Sequence, residues 1–372
     1  MVRILELIDS GFIGGGQIHI LLLSKYLRKN HFDISIASTS SGPFKLLVEK
    51  EGLNFIDVYL KRIFSCKSLY NLESVIKERN IEIVHSHGTV AGIYAKILKK
   101  RNPHLKLLHS IHGFHYLYSR NFLKKIFVKS FERILVKFPD FYILPTDYEI
   151  SLGLKNKVII GNRTYKIPYG IELEKFSSIK PDPIIARNLG IKKDSFVIGN
   201  ISRFDIQKNQ ELLIEILPEI IENIPEVQLL LVGEGKLLEK CKKLATKMGV
   251  LDKVIFAGTR IDLKKIFPLI NIFVFPSKWE GLSLTLMESM AAGNCIVASN
   301  IPSNRELIQD NQNGLLFDIN NKIDLINKII ELYNKPKLRE SLSSNAKRDA
   351  EKFDVKQMAA QIEKLYLSIL KK

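Results

Sequence analysis

Residues 270–293 read INIFVFPSKWEGLSLTLMESMAAG and contain a strand, a turn and a helix in immediate succession. The apolar run 270–275 is typical of a buried strand, and the Pro-Ser pair after it marks its end. The apolar spacing further on predicts a helix that begins near Ser283 and stops around Gly293. The stretch therefore forms one β–α unit of a parallel sheet, and its turn lies where open α/β sheets bind ligands.

Two glutamates lie beside this turn, Glu280 within it and Glu288 in the first two turns of the predicted helix. The N–H groups at a helix N-terminus favour phosphate, and a carboxylate accepts hydrogen bonds from sugar hydroxyls. The turn is therefore suited to a sugar nucleotide, with its phosphates on backbone amides and its hydroxyls on the carboxylates. The alternative interpretation is that both glutamates simply cap the helix and offset its dipole.

Strand and helix patterns alternate along the whole chain. Strand patterns begin near residues 3, 32, 81 and 105 in the first half and near 194, 227, 253, 271, 294 and 314 in the second. This alternation predicts an α/β protein with two Rossmann-like, doubly wound parallel-sheet domains that face each other across a cleft. We place the domains at 1–170 and 171–355, with a hinge in the Pro-rich segment 164–184. The last segment, 356–372, is predicted to be a helix that packs back toward the first domain.

Length and composition exclude several classes of protein. A chain of 372 residues is too long for one ordinary core, and 46% hydrophobic with 26% charged residues is typical of a globular protein. No apolar run approaches the roughly 18–20 residues that cross a bilayer, and the first residues do not resemble a signal peptide. Three scattered cysteines form neither a disulfide framework nor a zinc motif. We therefore expect a cytoplasmic protein.

The net charge of +17 indicates an anionic partner. Nucleic acid, an anionic membrane surface and a diphosphate-bearing substrate would each account for it. The sequence contains no zinc finger, RNP-type aromatic strand or helix-turn-helix signature, so we expect no nucleic acid partner.

A run of glycines, Gly14, Gly15 and Gly16, follows the first strand and precedes a helix. A dinucleotide-binding loop would need an acidic residue after the second strand, where this chain has the serine- and threonine-rich segment 38–40. We therefore expect the amides of this loop to approach a phosphate or sugar from the opposite domain. A merely structural turn is the alternative.

Two cations follow the first strand of the second half. Arg203 and Lys208 lie five residues apart in RFDIQKN, where both can point at a diphosphate, the arginine as a fork and the lysine as a point charge. A pair of solvated surface cations is the alternative.

Histidines cluster in the first half. His85 and His87 share one face of a strand, but no cysteine or carboxylate accompanies them at ligand spacing, so we expect no metal site. The sequence also contains no Asp-x-Asp pair of the kind that holds a divalent ion on a nucleotide. His112, followed by a glycine at a strand end, is the histidine best placed to act on a substrate. A hydrogen-bonded structural histidine is the alternative.

Residues 120–138, RNFLKKIFVKSFERILVKF, have an amphipathic helical pattern. Lys125, Lys129, Arg133 and Lys137 follow i, i+4 spacing and give one basic face opposite a broadly apolar one. This arrangement is typical of a helix that lies on an anionic membrane. A core-packed helix with a solvated basic face is the alternative.

In their order along the chain, these motifs resemble those of the retaining glycosyltransferases of family 4, which have the GT-B fold. The resemblance covers nearly the whole length. It rests on GGGQ at 14–17, IHG at 111–113, SRFDIQKN at 202–209, LLLVGEG at 229–235 and SKWEGLSLTLMESMAAG at 277–293.

The resemblance implies a role for each candidate residue. Glu280 would contact the donor sugar and Glu288 the ribose hydroxyls, while Arg203 and Lys208 would bind the diphosphate and stabilise its developing charge. His112 would act at the reaction centre. The backbone would complete the donor site at Gly15, Gly16, Arg260, Gly281, Leu282, Ser283 and Leu284, with Arg260 meeting the base.

The implied reaction is transfer of a hexose or N-acetylhexosamine from a nucleotide sugar, expected to be UDP-linked, to a glycan acceptor with retention of anomeric configuration. It would need neither a metal ion nor a cofactor, with the acceptor on domain 1–170 and the donor on domain 171–355. We expect a polyprenyl-diphosphate-linked acceptor at the inner face of a bacterial membrane, in polysaccharide, lipopolysaccharide or glycoconjugate synthesis. A sugar-nucleotide epimerase and a non-catalytic protein on the same fold are the alternatives.

Overall fold

The computed structural model describes residues 1–27, 32–61, 64–118, 121–177 and 179–371, which form two compact units. Unit 1 comprises Met1–Gly170 together with Val355–Lys372, and unit 2 comprises Ile171–Asp354. Each unit is built on a parallel β-sheet, so the predicted α/β class with two parallel-sheet domains is confirmed.

The described part of unit 1 contains a seven-stranded parallel sheet. Its strands are β1 (Val2–Ile8), β2 (Phe32–Ser38), β3 (Asn54–Asp57), β4 (Ile83–His87), β5 (Lys106–Ser110), β6 (Phe141–Leu144) and β7 (Thr164–Lys166). Their spatial order is β3-β2-β1-β4-β5-β6-β7. The direction in which the chain adds strands therefore reverses between β1 and β4, which is the switch point of this sheet.

Helices cover both faces of the sheet in unit 1. They are α1 (Gly15–Leu27), α2 (Phe44–Lys50), α3 (Cys66–Glu78), α4 (Gly88–Arg101), α5 (Phe122–Ile134) and α6 (Asp147–Lys155). Alternating side chains of β1 pack to opposite sides: Ile4 contacts the core beneath α1, whereas Leu5 and Leu7 join the core beneath α3 and α4. Both faces are thus apolar, as expected for a parallel sheet.

The described part of unit 2 contains a six-stranded parallel sheet. Its strands are β8 (Phe196–Ile201), β9 (Val227–Val232), β10 (Val254–Phe256), β11 (Ile272–Phe275), β12 (Cys295–Ser299) and β13 (Leu315–Phe317), in the order β10-β9-β8-β11-β12-β13. Its switch point lies between β8 and β11.

The helices of unit 2 follow its strands in turn. They are α7 (Pro183–Leu189), α8 (Gln210–Glu215), α9 (Leu217–Asn223), α10 (Leu238–Lys247), α11 (Leu263–Ile266), α12 (Leu284–Ala291), α13 (Pro302–Arg305), α14 (Lys322–Asn334) and α15 (Pro336–Ala350). Single turns of 3-10 helix span His115–Tyr118, Gly161–Arg163, Leu173–Lys175, Leu251–Lys253, Phe267–Leu269 and Glu351–Phe353.

The last helix, α16 (Val355–Leu370), belongs to unit 1. Met358, Ile362 and Ile369 are buried in the same core as Phe32 and Ile34 of β2. The chain therefore leaves unit 1 after β7, builds the whole of unit 2, and returns to complete the core of unit 1.

Two expectations about chain organisation are corrected. The segment 164–184 was predicted to be a hinge, but its first three residues form β7, in which Thr164 pairs with Tyr142. The strands β3, β6 and β7 were not predicted at all. They contain only three or four residues, too few for a strand period to stand out from the turn formers around them.

Candidate functional site

The two strands that flank the switch point of unit 2 carry two of the predicted site residues. Lys208 follows β8 and Glu280 follows β11, and Lys208 Nζ lies 2.6 Å from Glu280 Oε1. The Lys208 side chain is only 18% exposed and lies 5.1 Å from the centre of the Phe275 ring. Lys208 is therefore not a solvated surface cation. The pair lies in the crevice where open α/β sheets bind ligands.

Gln207 joins the two loops that hold this pair. Its Nε2 donates to Glu280 Oε2 at 3.2 Å and to the Trp279 carbonyl at 2.8 Å. Its own carbonyl accepts from the Lys278 N–H at 2.8 Å. Gln207 was not predicted as a site residue, although its position beside Lys208 within the RFDIQKN motif was a usable signal.

The glycines of LLLVGEG hold the loop that carries Arg203. Gly233 and Gly235 have φ values of +134° and +152°, which residues with a side chain rarely adopt. A Cβ atom at Gly233 would lie 2.3 Å from the Ser202 carbonyl oxygen, and one at Gly235 would lie 2.3 Å from that of Phe204. Only glycine permits this close approach, so the motif positions the start of the Arg203 loop.

Buried amide side chains also hold the carboxyl end of β8 in place. Asn200 Nδ2 donates to the Val274 carbonyl at 2.8 Å and so ties β8 to β11. Gln210 Nε2 donates to Ser202 Oγ at 2.7 Å and to the Arg203 carbonyl at 3.0 Å. The carboxyl end of β8 is thus held by polar contacts as well as by the sheet.

Helix α12 begins and ends where the sequence predicts. Ser283 is its N-cap and accepts a hydrogen bond from the Leu286 N–H at 3.2 Å, and Gly293 follows its end with φ +78°. The N-cap is therefore a serine, so the part of the alternative in which Glu280 or Glu288 caps the helix is wrong, while the offset of the helix dipole is not tested. Of the predicted backbone positions, Gly281 and Leu282 precede the helix, Ser283 is its N-cap and Leu284 its first residue, and N–H groups at such a helix end favour an anion.

Glu288 lies on the second turn of α12 and is half-buried. Desolvation raises the pKa of its carboxyl to about 8, against the opposing charge of Lys175. Near neutral pH the group is therefore largely protonated. In this state it can donate as well as accept a hydrogen bond.

Arg203 and Arg260, the two arginines predicted for the donor site, each lie beside an aspartate. The guanidinium of Arg203 lies 3.8 Å from the Asp205 carboxylate, and its side chain is 64% exposed. Arg260 donates to both oxygens of Asp262, at 2.9 and 2.7 Å, and these hydrogen bonds raise its pKa. Arg203 is thus accessible to a ligand in solution.

In unit 1, the predicted glycines and His112 lie together near the switch point. Helix α1 begins at Gly15, and a Cβ atom at Gly16 would lie 3.4 Å from His112 Cδ2. His112 Nε2 lies 3.0 Å from His87 Nδ1, and His112 Nδ1 lies 2.6 Å from the Tyr169 hydroxyl. Both ring nitrogens of His112 therefore have partners within unit 1.

A carboxylate lies beside the histidine pair in space, although none accompanies it at ligand spacing in the sequence. Glu6 of β1 is the register partner of His85, and its Oε2 lies 2.6 Å from His87 Nε2 and 3.3 Å from His85 Nδ1. All three side chains are fully buried. Because Glu6 lies on another strand, sequence spacing could not reveal it. A single acid within the apolar strand VRILELI was the available signal.

A recess of about 390 Å³ opens at the carboxyl ends of β1 and β2 in unit 1. It is lined by Asp9, Ser10, Gly11, Phe12, Thr39, Tyr59, Leu60 and Lys61. Phe12 and Tyr59 are 68% and 62% exposed, so two aromatic rings border a recess that also contains an acid and a lysine.

Helix α5 packs on unit 1 through a narrow stripe of its surface. Glu132 forms an ion pair with the buried Lys96, and Leu135, just beyond the helix, is also buried. The outward face is apolar: Phe122, Leu123, Ile126, Phe127 and Ile134 are all 47–77% exposed. The core-packed alternative is wrong for these five residues. Arg120 and the Lys124 side chain lie outside the described residues.

Basic residues border the exposed apolar face. Lys125 and Lys129 are partly exposed on one side of it, and the exposed Arg133 donates from Nε to the Asn156 carbonyl at 2.8 Å. Within the described ranges, no helix is both long enough and apolar enough to span a membrane.

Comparison with known families identifies the class of protein to which this two-domain α/β chain belongs. The family model for glycosyl transferases group 1 matches residues 182–349, and that for glycosyltransferase family 4 matches residues 13–175. The chain belongs to the family 4 glycosyltransferases, enzymes of the GT-B type.

Two curated relatives and one solved structure illustrate the family. The chain is 27% identical over 353 residues to the UDP-Gal:alpha-D-GlcNAc-diphosphoundecaprenol alpha-1,3-galactosyltransferase of Escherichia coli, which covers 92% of this chain and 91% of that protein. It is 25% identical over 267 residues to the alpha-monoglucosyldiacylglycerol synthase of Streptococcus pneumoniae, covering 69% and 60%. The crystal structure of Anabaena Alr3699/HepE in complex with UDP-glucose has the same fold, with a TM-score of 0.86, 20% identity, and coverage of 99% and 100%.

Proposed function

We propose that this glycosyltransferase moves a hexose or N-acetylhexosamine from a UDP-sugar to a lipid-linked glycan, with retention of anomeric configuration. The observation that carries the proposal is the Lys208–Glu280 pair at the switch point of unit 2. A sugar diphosphate needs a cation for its phosphates and an acceptor for its sugar hydroxyls. These two groups are in contact at the place where a parallel sheet binds ligands.

Each residue of unit 2 has a defined task in this proposal. The exposed Arg203 guanidinium and the Lys208 ammonium bind the diphosphate, together with the N-terminal end of α12. Glu280 accepts hydrogen bonds from the donor sugar, and Glu288 contacts the ribose hydroxyls. The backbone at Arg260 meets the base. The two cations and the helix end supply the positive charge, so we expect no metal ion.

The transfer step breaks the bond between C1 of the donor sugar and the diphosphate oxygen, and the bonding electrons remain on the diphosphate. The acceptor hydroxyl oxygen forms the new bond to C1 from the same face, and its proton passes to the departing diphosphate. Arg203 and Lys208 stabilise the charge that develops on the diphosphate, which is the step where such contacts accelerate reactions most. His112 acts on the substrates at the reaction centre.

The names of the relatives support a lipid-linked acceptor. That of the E. coli relative specifies UDP-galactose and a diphosphoundecaprenol-linked sugar, and that of the S. pneumoniae relative specifies a diacylglycerol lipid. The Anabaena structure contains UDP-glucose. We therefore propose a UDP-sugar donor and an acceptor glycan attached to a polyprenyl diphosphate.

Helix α5 suits an enzyme that must reach such an acceptor. The ion pair of Glu132 with Lys96 holds helix α5 on unit 1. The apolar face of the helix is exposed, and Lys125 and Lys129 lie at the border of that face. Apolar side chains enter the bilayer boundary, and border cations meet anionic headgroups. We propose that residues 121–138 hold the protein peripherally on the inner face of the cell membrane.

The recess in unit 1 is our proposed acceptor site. Exposed aromatic rings such as Phe12 and Tyr59 offer flat apolar faces to a sugar, and the ammonium of Lys61 suits the diphosphate of the lipid carrier. Tyr59→Ala is expected to raise the acceptor KM without changing the affinity for UDP. Unchanged acceptor kinetics would place the acceptor elsewhere.

The direct test of the function is product analysis with a panel of UDP-hexoses and UDP-N-acetylhexosamines. Each donor is incubated with the protein, with and without a polyprenyl-diphosphate-linked N-acetylhexosamine, in buffer that contains EDTA. We expect a glycolipid product only when the acceptor is present, with the anomeric configuration of the donor retained. Donor isomerisation without acceptor would indicate an epimerase. Donor binding without any product would indicate a non-catalytic protein.

A further inference from the structure

A chain of hydrogen bonds runs through the core of unit 1 from α16 to His112. Tyr366 donates its hydroxyl hydrogen to Glu6 Oε1 at 2.7 Å, and His87 Nε2 lies 2.6 Å from Glu6 Oε2. His87 Nδ1 lies 3.0 Å from His112 Nε2. Glu6, His87 and Tyr366 are fully buried, and none of them belongs to the proposed donor site.

The negative charge of Glu6 determines which atom donates and which accepts in each of these hydrogen bonds. Burial by itself would raise the pKa of the Glu6 carboxyl, but His85 and His87 hold it well below its ordinary range. An ionised carboxylate only accepts hydrogen bonds, so His87 carries a proton on Nε2 and donates it to Glu6. Burial lowers the pKa of His87 to about 3, so its ring is neutral and its Nδ1 is an acceptor.

The same reasoning gives His112 a single tautomer. Because His87 Nδ1 can only accept, His112 donates to it from Nε2. In the neutral form of His112, the other nitrogen, Nδ1, is then an acceptor for the Tyr169 hydroxyl, 2.6 Å away. A substrate hydroxyl is the same kind of donor as the tyrosine hydroxyl. His112 Nδ1 is therefore the atom at which a substrate hydroxyl can replace Tyr169.

We propose that Glu6 and His87 are positioning residues for His112, and that Tyr366 makes α16 part of this arrangement by holding Glu6. They fix the orientation and tautomer of the His112 ring, so that Nδ1 faces a sugar hydroxyl as an acceptor. The negative charge of Glu6, acting through the neutral His87, makes that nitrogen more basic. The inference rests on the proposed function only for the role given to His112.

His85 supports the same arrangement from the other side. Its Nδ1 lies 2.6 Å from the Tyr366 oxygen, and its Nε2 lies 2.7 Å from Ser110 Oγ. Since Tyr366 gives its hydrogen to Glu6, His85 must donate to the tyrosine oxygen. This contact keeps the Tyr366 hydroxyl directed at Glu6.

A metal ion is the competing interpretation of the same atoms. Glu6, His85 and His87 offer one carboxylate and two imidazole ligand atoms within 4.8 Å of one another. However, the 2.6 Å contact between His87 and Glu6 is a hydrogen-bonding distance, and Tyr366 occupies the second carboxylate oxygen. The hydrogen bonds already satisfy both oxygens of Glu6, so the structure favours the positioning role.

Nitrogen NMR of ¹⁵N-histidine-labelled full-length protein tests the inference without any substrate. We expect His112 to be a single Nε2–H tautomer, and Glu6→Gln, which keeps the size but removes the charge, to convert it to a mixture. The exposed His104 is an internal control whose signals should not change. The same His112 tautomer in both proteins would overturn the inference. So would one metal ion per chain that is lost in Glu6→Gln.

Kinetics separate positioning from plain stability. Glu6→Gln is expected to lower kcat by roughly 10–100-fold, the range found when the carboxylate behind a metal-bound histidine is removed. The Kd for UDP should stay unchanged, because UDP is proposed to bind unit 2. Tyr366→Phe keeps the ring that packs against Phe32 and removes one hydrogen bond, so kcat should fall roughly 2- to 10-fold.

Unchanged kcat in both variants would overturn the inference. If Glu6→Gln does not fold, the NMR measurement is made on Tyr366→Phe instead. A mixture of His112 tautomers would then support the inference, and an unchanged single tautomer would overturn it. If the wild-type protein transfers no sugar from any donor, the proposed function has failed. The measured tautomer of His112 then still shows whether Glu6 and His87 position His112 or bind a metal ion.

Discussion

Lys208 and Glu280 form an ion pair at the switch point of unit 2. A bound sugar diphosphate would give each group a new partner, the phosphates for Lys208 and the sugar hydroxyls for Glu280. Because the pair is largely buried, removal of one member leaves the other partly desolvated and without its counter-charge. Substitutions at this pair therefore change both stability and catalysis, whereas Arg203 is exposed and offers a cleaner test.

Arg203→Ala and Lys208→Ala are both expected to cut turnover by roughly 10²–10³, since both residues stabilise charge on the departing diphosphate. Only Lys208→Ala should also lower the melting temperature, because Arg203 is 64% exposed. Lys243→Ala, an exposed cation on α10, is the matched control and should change neither quantity. Initial rates and thermal melts measure both effects. Wild-type rates in the arginine and lysine variants would remove them from the mechanism.

Glu288 should give the protein a pH dependence that Glu288→Gln lacks. Its pKa is about 8 in the folded protein, above its ordinary value of 4.5, so the folded state keeps a proton that the unfolded state releases. The free energy of unfolding should therefore fall as pH rises from 4.5 to 8, by at most about 1.4 kcal/mol per pH unit. Denaturant unfolding at pH 5, 6.5 and 8 measures this slope, and equal slopes in both proteins would refute it.

The same carboxyl should make UDP binding pH-dependent. An ionised Glu288 can accept hydrogen bonds from both ribose hydroxyls, so UDP affinity should rise between pH 7 and 9 in the wild type. In Glu288→Gln, calorimetric titration should find no such rise. A parallel pH dependence in the two proteins would remove Glu288 from the ribose contact.

The sequence was most informative for residues inside local motifs and least for their distant partners. Lys208 and Glu280 were both predicted as site residues, but their pairing across 72 positions was not. Glu6 and Tyr366 escaped notice because their contacts join β1, β4 and α16. Such pairings depend on strand register and on the return of the last helix, neither of which has a periodic signature.

Among the secondary-structure elements, the local sequence predicted the ends of α12 closely but did not predict the short strands. Ser283 as N-cap and Gly293 after the end are the residues that start and stop a helix, so this element was predicted closely. Strands β3, β6 and β7 have three or four residues and were missed. For α5 the amphipathic pattern was correct, but only the structure distinguishes a buried apolar face from an exposed one.

Helix α5 should bind anionic vesicles through its basic border. Neutralising Lys125, Lys129, Arg133 and Lys137 together removes four cations, each worth about 1 kcal/mol near an anionic surface. Partitioning onto vesicles that contain phosphatidylglycerol should fall by roughly 10²–10³. Neutralising Lys242, Lys243 and Lys247 of α10 is the control and should have little effect. Sedimentation with vesicles measures both, and equal binding would leave α5 as ordinary structure.

The apolar face makes a separate contribution that salt does not screen. Leu123→Ser with Phe127→Ser should weaken binding to neutral phosphatidylcholine vesicles as well, because both side chains are at least 70% exposed and available to the bilayer. Since neither side chain is buried in unit 1, the melting temperature should stay within a degree or two of wild type. Loss of stability instead would mean that this face is packed against the protein.

At the scale of the whole molecule, the chain leaves unit 1 after Gly170 and re-enters it at Val355. Unit 1 is therefore incomplete until the last helix has been added. Six apolar side chains larger than alanine are buried in α16: Val355, Met358, Ile362, Leu365, Tyr366 and Ile369. At about 1.5–3 kcal/mol each, their burial is comparable with the entire stability of a domain.

Deletion of residues 355–372 is therefore expected to unfold unit 1 and to leave unit 2 folded. Limited proteolysis followed by mass spectrometry should find a protected fragment that corresponds to 171–354. Deletion of only residues 371–372 is the control and should preserve both units, because Lys371 is exposed. A protected unit 1 in the longer deletion would show that α16 is dispensable.

We propose that the switch-point site of unit 2 binds a sugar nucleotide through Lys208 and Glu280. Its most direct test is calorimetric titration of the wild type, Lys208→Ala and Glu280→Gln with UDP and with a panel of UDP-sugars. We expect the wild type to bind one UDP-sugar more tightly than UDP, Lys208→Ala to lose affinity for both, and Glu280→Gln to bind UDP normally but without preference for the sugar. Equal affinities in all three proteins, or no binding of any UDP-sugar to the wild type, would show that Lys208 and Glu280 do not form the donor site.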